Sequence, residues 1–168
     1  AMMAMIREDL ALLGVRMDVF SSEKALYGTG KIEAALRALR DQGLIYEGTL
    51  EAPKGELTDD WEPRVQTLFR STAYGDDQDR PIRKSDGSWT YFGADLAYHF
   101  QKAESADALV DIWGADHAGT VKRIKAAVAA LTGADGQPPK PFEVKLVQMV
   151  QLLRDGEPVK MSKRSGTF

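Results

Sequence analysis

The densest run of chemically capable side chains closes the chain: Val159-Lys160-Met161-Ser162-Lys163-Arg164-Ser165-Gly166. Lysine is a compact charge on a flexible stem, suited to following a phosphate that moves during reaction. Donors of that kind stabilise the charge that develops on a transferring group. The same residues also describe a basic surface turn after a hairpin, so the motif alone leaves both readings open. A second concentration is Gly114-Ala115-Asp116-His117, between a strand-like and a helix-like run. Open α/β sheets bind ligands at such strand ends, although Asp116 can equally be the N-cap of the next helix. Glu23 stands just past another candidate strand, or in the first turn of a helix, where a carboxylate favours the positive dipole end. Tyr91 and Asp95 are four positions apart. They share a face if a helix starts near Tyr91, with Tyr98, His99 and Lys102 continuing along it or close by. The acidic group Asp76-Asp77-Gln78-Asp79 has oxygen ligands for a divalent cation but lacks the glycine of a calcium loop, and reads as a solvated turn. His99 and His117 have no obvious third partner for a metal, and His99 is most simply a helix-surface or core residue.

The elements that must position these groups follow from periodicity. Met2 to Leu13 has helical apolar spacing and Gly14 as its stop. Val15 to Phe20 alternates as a short strand, ended by Ser21-Ser22. In Lys31 to Gln42, Ile32, Ala35, Leu36 and Leu39 form one stripe, stopped by Gly43. Short β-like runs then alternate with turn formers: Leu44-Ile45-Tyr46, Val65 to Phe69 and Trp89 to Phe92, with Pro53 to Asp60 a polar loop and Ser85-Asp86-Gly87-Ser88 a hairpin signal. From Trp89 strands and helices alternate, the pattern of a parallel α/β sheet. A helix is expected from Ala94, or from near Tyr91, to about Lys102. It is followed by a buried strand Leu109 to Trp113, a long helix Ala118 to Leu131, a strand Phe142 to Val147, and a turn at Asp155-Gly156.

Composition narrows the class. With 168 residues, 43% hydrophobic and 28% charged, the chain has the make-up of a soluble globular protein of about one domain. Its net charge of −3 carries no basic signature, so nucleic-acid contact must come from a local patch or from protein outside this chain. Cysteine is absent, which excludes disulfides and thiolate metal sites and is compatible with a reducing compartment. No run reaches membrane-spanning length and no signal peptide is evident, so a cytoplasmic protein without a membrane partner is expected.

Together, Lys160-Met161-Ser162-Lys163-Arg164, Gly114-Ala115-Asp116-His117 and Tyr91-Phe92-Gly93-Ala94-Asp95-Leu96-Ala97-Tyr98-His99 resemble the catalytic domain of arginyl-tRNA synthetases, which are class I aminoacyl-tRNA synthetases. Asp18-Val19-Phe20-Ser21-Ser22-Glu23, Leu68-Phe69-Arg70-Ser71-Thr72 and Gly75-Asp76-Asp77 extend the likeness over nearly the whole chain. The resemblance implies an enzyme that joins arginine to ATP as arginyl-adenylate, releases pyrophosphate and passes the arginyl group to tRNA(Arg). It implies Glu23, Tyr91 and Asp95 as guanidinium ligands, since a planar cationic fork is well read by carboxylates. It further implies Gly114, Asp116 and His117 as ATP contacts, and Lys160 to Arg164 as a mobile loop whose Lys160 and Lys163 act catalytically. Mg2+ is expected with ATP, mostly on its phosphates.

The chain departs from the family in containing no His-x-Gly-His signature. It therefore reads as an internal fragment, inactive in isolation, of an intact enzyme expected to be monomeric. The implied architecture is the second half of a Rossmann-like α/β domain with a small inserted β-rich subdomain. Residues 1–21 would end the first half, 22–88 form the insert, and 89–168 the second half ending in the basic loop. Rival readings are another class I adenylate-forming synthetase, or a non-catalytic synthetase-like module that binds arginine or a partner.

Overall fold

A computed structural model of the chain describes residues 2–51, 62–151 and 153–159. The loop Pro53 to Asp60 and the basic stretch Lys160 to Arg164 lie outside the described residues. Helix α1, Met2–Leu12, forms where its periodicity places it, and Gly14 turns the chain away in the left-handed region (φ 75°). The expected strand Val15 to Phe20 is not one: these residues run irregularly. Alternation makes a strand only where a neighbour takes the backbone hydrogen bonds, and no described strand pairs with them.

Glu23–Leu26 form a 3-10 turn, and α2 spans Lys31–Asp41 with Ile32, Ala35, Leu36 and Leu39 buried, as the stripe demands. At its end Gly43 (φ 72°) donates to Arg40 O at 2.9 Å and Leu44 N to Leu39 O at 3.0 Å, closing the orphan carbonyls. Three short antiparallel strands follow in the order β1 (Ile45–Gly48), β2 (Gln66–Phe69), β3 (Arg80–Arg83). The hairpin at Ser85 to Ser88 forms, with Gly87 at φ 85° and Lys84 N donating to Ser88 O at 2.8 Å.

The run Trp89 to Phe92 is not a strand. Trp89 makes a single bridge to Arg83, after which the chain turns straight into α3, Tyr91–Glu104. Its aromatic and β-branched residues mimic a strand, but Thr90 acts as an N-cap. Asp77 and Gln78 are exposed as the solvated turn would have them, but Asp76 and Asp79 are tied into the fold. The Asp76 side chain is fully buried and takes Arg80 Nε and Nη2 at 2.7 Å each, with Ser71 Oγ at 3.0 Å. Asp79 accepts from Tyr46 Oη at 2.6 Å and Thr72 Oγ1 at 2.7 Å. These bonds tie β1 to the 3-10 turn Ser71–Tyr74.

Strand β4, Leu109–Gly114, pairs in parallel with β5, Phe142–Val147. The crossover between them is a 3-10 turn, Ala115–Thr120, followed by α4, Val121–Thr132, which thus begins three residues after Ala118. Contrary to expectation β4 is not buried on both faces. Leu109 and Asp111 point inward while Val110 (57%) and Ile112 (73%) are exposed. The last hairpin, β6 (Leu153–Arg154) and β7 (Glu157–Pro158), turns through Asp155 (φ 53°) and Gly156 (φ 83°), as the sequence signals. One core joins the layers: Leu36 and Leu39 of α2, Phe69 and Ile82 of the antiparallel sheet, Phe92 and Leu96 of α3, and Ile124 and Leu131 of α4.

Candidate functional site

The start of α3 is fixed to β3. Thr90 Oγ1 donates to Pro81 O at 2.8 Å and accepts from Gly93 N at 3.3 Å, while Thr90 N donates to Ile82 O at 3.0 Å. Gly93 makes that approach possible: a Cβ there would lie 3.1 Å from the Ile82 carbonyl oxygen. Clamped in this way, the first turns of α3 pack against the 3-10 turn that carries Glu23.

Between them lies a cavity of about 310 Å³ lined by Ser21, Glu23, Leu26, Ala94, Asp95 and Tyr98. Glu23 and Asp95 thus converge although the whole antiparallel sheet separates them in sequence. Tyr91, the first residue of α3, is 70% exposed and is not part of that lining. It lies close enough to Tyr27 to influence that phenol, which burial raises above its ordinary range, helped by the charges of Glu23 and Asp95, by Tyr91, and by its own hydrogen bond to Glu23. Tyr27 was not among the residues singled out from sequence; its spacing of four from Glu23, at the end of one turn, is the signal that could have found it.

Asp95 opens to solvent as a residue, yet its carboxyl is crowded. Burial raises it above the usual carboxylate range, His99 and Arg123 pull it back, and the negative charges of Glu23 and Asp111 push it up again. A carboxylate under such tension gains from a cationic ligand. Behind it His99 is a core residue, not a surface one. Its Nε2 lies 2.7 Å from Asp111 Oδ2 and its Nδ1 2.8 Å from Asp95 O, and Lys102 Nζ donates to Asp111 Oδ1 at 2.6 Å. Burial pushes the Asp111 carboxyl up, but the hydrogen bonds from His99 and Lys102, and then their charges, bring it below the usual range.

Asp95 and Tyr98 also border a larger cavity of about 640 Å³, which runs past Lys102, Trp113, Thr120 and Arg123 to His117 at the carboxyl end of β4. Asp116 and His117 stand exposed (72% and 62%), Oδ2 and Nε2 3.5 Å apart, with the His117 ring edge-on to Trp113 at 6.3 Å. Asp116 is not the N-cap of α4: Thr120 holds that place, and Gly114 begins the 3-10 turn. A side chain at Gly114 would displace the exposed Asp116 carboxylate, which lies against the position of its Cβ. Among the described residues no three His, Cys, Asp or Glu converge as metal ligands. Nor is any helix among the described residues long and apolar enough to cross a membrane.

No protein-family model matches the chain. Over all 168 of its residues it is 76% identical to an arginine–tRNA ligase of Novosphingobium aromaticivorans, covering 29% of that protein. It is 68% identical to arginine–tRNA ligases of Cereibacter sphaeroides and Paracoccus denitrificans, covering 28% of each. A solved structure from Campylobacter jejuni, named as an arginyl-tRNA synthetase, superposes with a TM-score of 0.72 at 34% identity, over 95% of this chain and 31% of that one. The chain therefore spans under a third of the length of the relatives it matches.

Proposed function

Because this chain belongs to the arginyl-tRNA synthetase family, we propose that it supplies the amino-acid-recognition half of an arginine–tRNA ligase. The reaction joins the arginine carboxylate to the α-phosphorus of ATP, expels pyrophosphate, and passes the arginyl group to the terminal ribose of tRNA(Arg). The observation that carries this reading is the convergence of Glu23 and Asp95 on one cavity, where burial and the charge of Glu23 raise the Asp95 carboxyl although His99 and Arg123 draw it down. Two carboxylates around a space of this size suit a planar guanidinium that donates in pairs. Tyr91, outside that lining and four residues before Asp95 at the start of α3, would add a phenolic oxygen.

The larger cavity adjoins the first through Asp95, so an arginine seated between Glu23 and Asp95 has room to extend its carboxylate toward His117. ATP placed there would meet Gly114, Asp116 and His117, and Lys160 to Arg164 follow in sequence as the clamp on its phosphates, with Lys163 on the departing pyrophosphate. Mg2+ would accompany the nucleotide on those phosphates. The parallel β4–α4–β5 unit supports a Rossmann-like second half at 89–168, with 22–88 as the inserted subdomain and 1–21 closing the first half. Soluble, monomeric action in the cytoplasm, with no membrane partner, completes the proposal.

Calorimetric titration with L-arginine and with L-citrulline, its uncharged analogue of nearly equal shape, tests the site. Arginine should bind and citrulline should not. Asp95→Asn should remove most of the difference, since loss of a charged partner that the bound ligand covers costs on the order of 2 to 5 kcal/mol. Equal affinities for the two ligands would overturn the assignment.

A further inference from the structure

His99 lies almost wholly within the protein, 4% exposed, and both of its ring nitrogens face acceptors. Nδ1 is 2.8 Å from the main-chain oxygen of Asp95, and a carbonyl can only accept. Nε2 is 2.7 Å from Asp111 Oδ2. The second oxygen of Asp111 is occupied by Lys102 Nζ at 2.6 Å, so this carboxylate is ionised and has no proton to offer the ring. Each ring nitrogen must then bring its own. A neutral imidazole would instead set a bare lone pair against an oxygen in a buried place, at the full cost of an unmade hydrogen bond. The faces of the ring leave little room for water to intervene, since Tyr98 and Phe142 stack edge-on to it, each with centroids 5.6 Å away.

Charge balance points the same way. Around Asp95, the carboxylates of Asp95, Asp111 and Glu23 are negative and Lys102 and Arg123 positive, so a neutral His99 leaves one negative charge over. An imidazolium makes the six groups neutral as a set. Resting on the reading of Asp95 as a guanidinium ligand, we infer that His99 is a positioning residue for it. It is a doubly donating, cationic strut from β4 to α3 that fixes the turn bearing Asp95 and supplies the counter-charge its carboxylate needs while the pocket is empty. The other charged or titratable groups around this unit are Tyr98 and Lys102 on α3, Glu23 on the neighbouring 3-10 turn and Arg123 on α4.

Nuclear magnetic resonance of the whole chain with 15N-labelled histidine and 13C-labelled aspartate carboxyls tests this without substrate. At neutral pH both ring nitrogens of His99 should appear protonated, with protons slow to exchange. A single unprotonated nitrogen would overturn the inference, and this measurement needs no variant. In His99→Gln, which keeps a donor but loses the charge, the Asp95 carboxyl should titrate about one pH unit higher than in the wild type. A purely structural role would leave that titration in place, and an unmoved titration in a folded variant overturns the strut. Titration of the wild-type chain with L-arginine is the separate arm. If arginine does not bind while ring protonation and the Asp95 shift stand as expected, the guanidinium reading fails and the His99–Asp95 coupling does not.

Discussion

Asp95 is asked to be charged where the protein makes charge costly, and that tension has a thermodynamic signature. Its folded-state carboxyl is raised above the unfolded value, so the native state binds the extra proton and is favoured below the ordinary aspartate pKa. That advantage is lost as pH rises through the folded value. At neutral pH the ionised Asp95 therefore opposes folding. Asp95→Asn should melt higher than the wild type at pH 7, and the gap should close as the solution is acidified below about pH 4; thermal scans at both pH values check it. Gain of stability with loss of arginine affinity is the trade expected of a functional residue. Lys163, also proposed for the chemistry, should behave differently. In the full-length enzyme Lys163→Ala should slow adenylate formation on the order of a hundredfold, because its charge is needed where pyrophosphate departs, while arginine affinity stays nearly unchanged. Single-turnover kinetics separate the two effects.

Among the elements, the start of α3 and the antiparallel sheet act as one rigid piece. Gly93→Ala would set a methyl 3.1 Å from the Ile82 carbonyl, and the clamp through Thr90 leaves little room to yield. The variant should fold but bind arginine about tenfold more weakly, because near-ångström displacements of positioned groups are costly; calorimetry against a circular-dichroism control checks both halves of the claim. Asp76 is held by Arg80 in a buried ion pair. Burial raises its carboxyl, but the hydrogen bonds from Arg80 and Asp77 N and the Arg80 charge bring it below the usual range. Its stabilising effect is thus present above the ordinary aspartate pKa and fades as pH falls through the folded one. Arg80→Ala leaves that carboxylate buried without its cation and should cost about 3 kcal/mol in urea unfolding at pH 7. The deficit should shrink in acid, where Asp76 is protonated with or without Arg80.

For the molecule as a whole, the outward face of the parallel pair presents Val110, Ile112 and Val147 to solvent beside the exposed Glu143–Lys145 ion pair, where parallel sheets are ordinarily covered. The family's His-x-Gly-His signature does not occur in the sequence. The 168-residue chain alone should therefore give no arginine-dependent exchange of pyrophosphate into ATP, with or without tRNA(Arg). Robust exchange would show that its own residues hold the phosphates from both sides.

Much of this is legible in the sequence. The stripes of α1 and α2, the β5 run and both hairpin turns are local patterns, written in residue spacing and in the glycines that need positive φ. The family likeness proposes Glu23, Tyr91 and Asp95 as a set, of which Glu23 and Asp95 line one cavity. Other features were settled only by distant parts of the chain. Val15 to Phe20 has a strand's alternation but no pairing partner, and Trp89 to Phe92 has a strand's composition but yields to the N-cap at Thr90. Val110 and Ile112 look like core and face outward, whereas Asp76 looks like a solvated turn and is buried, and His99, open to a surface or a core reading, is core. A polar side chain goes inside only when its partner is delivered there. Arg80 reaches Asp76 from the same turn, but Asp111 reaches His99 from a strand that only the packing of α3 on the sheet brings within 2.7 Å. Spacing in sequence fixes which residues share an element, while burial and charge compensation depend on what the fold sets opposite them.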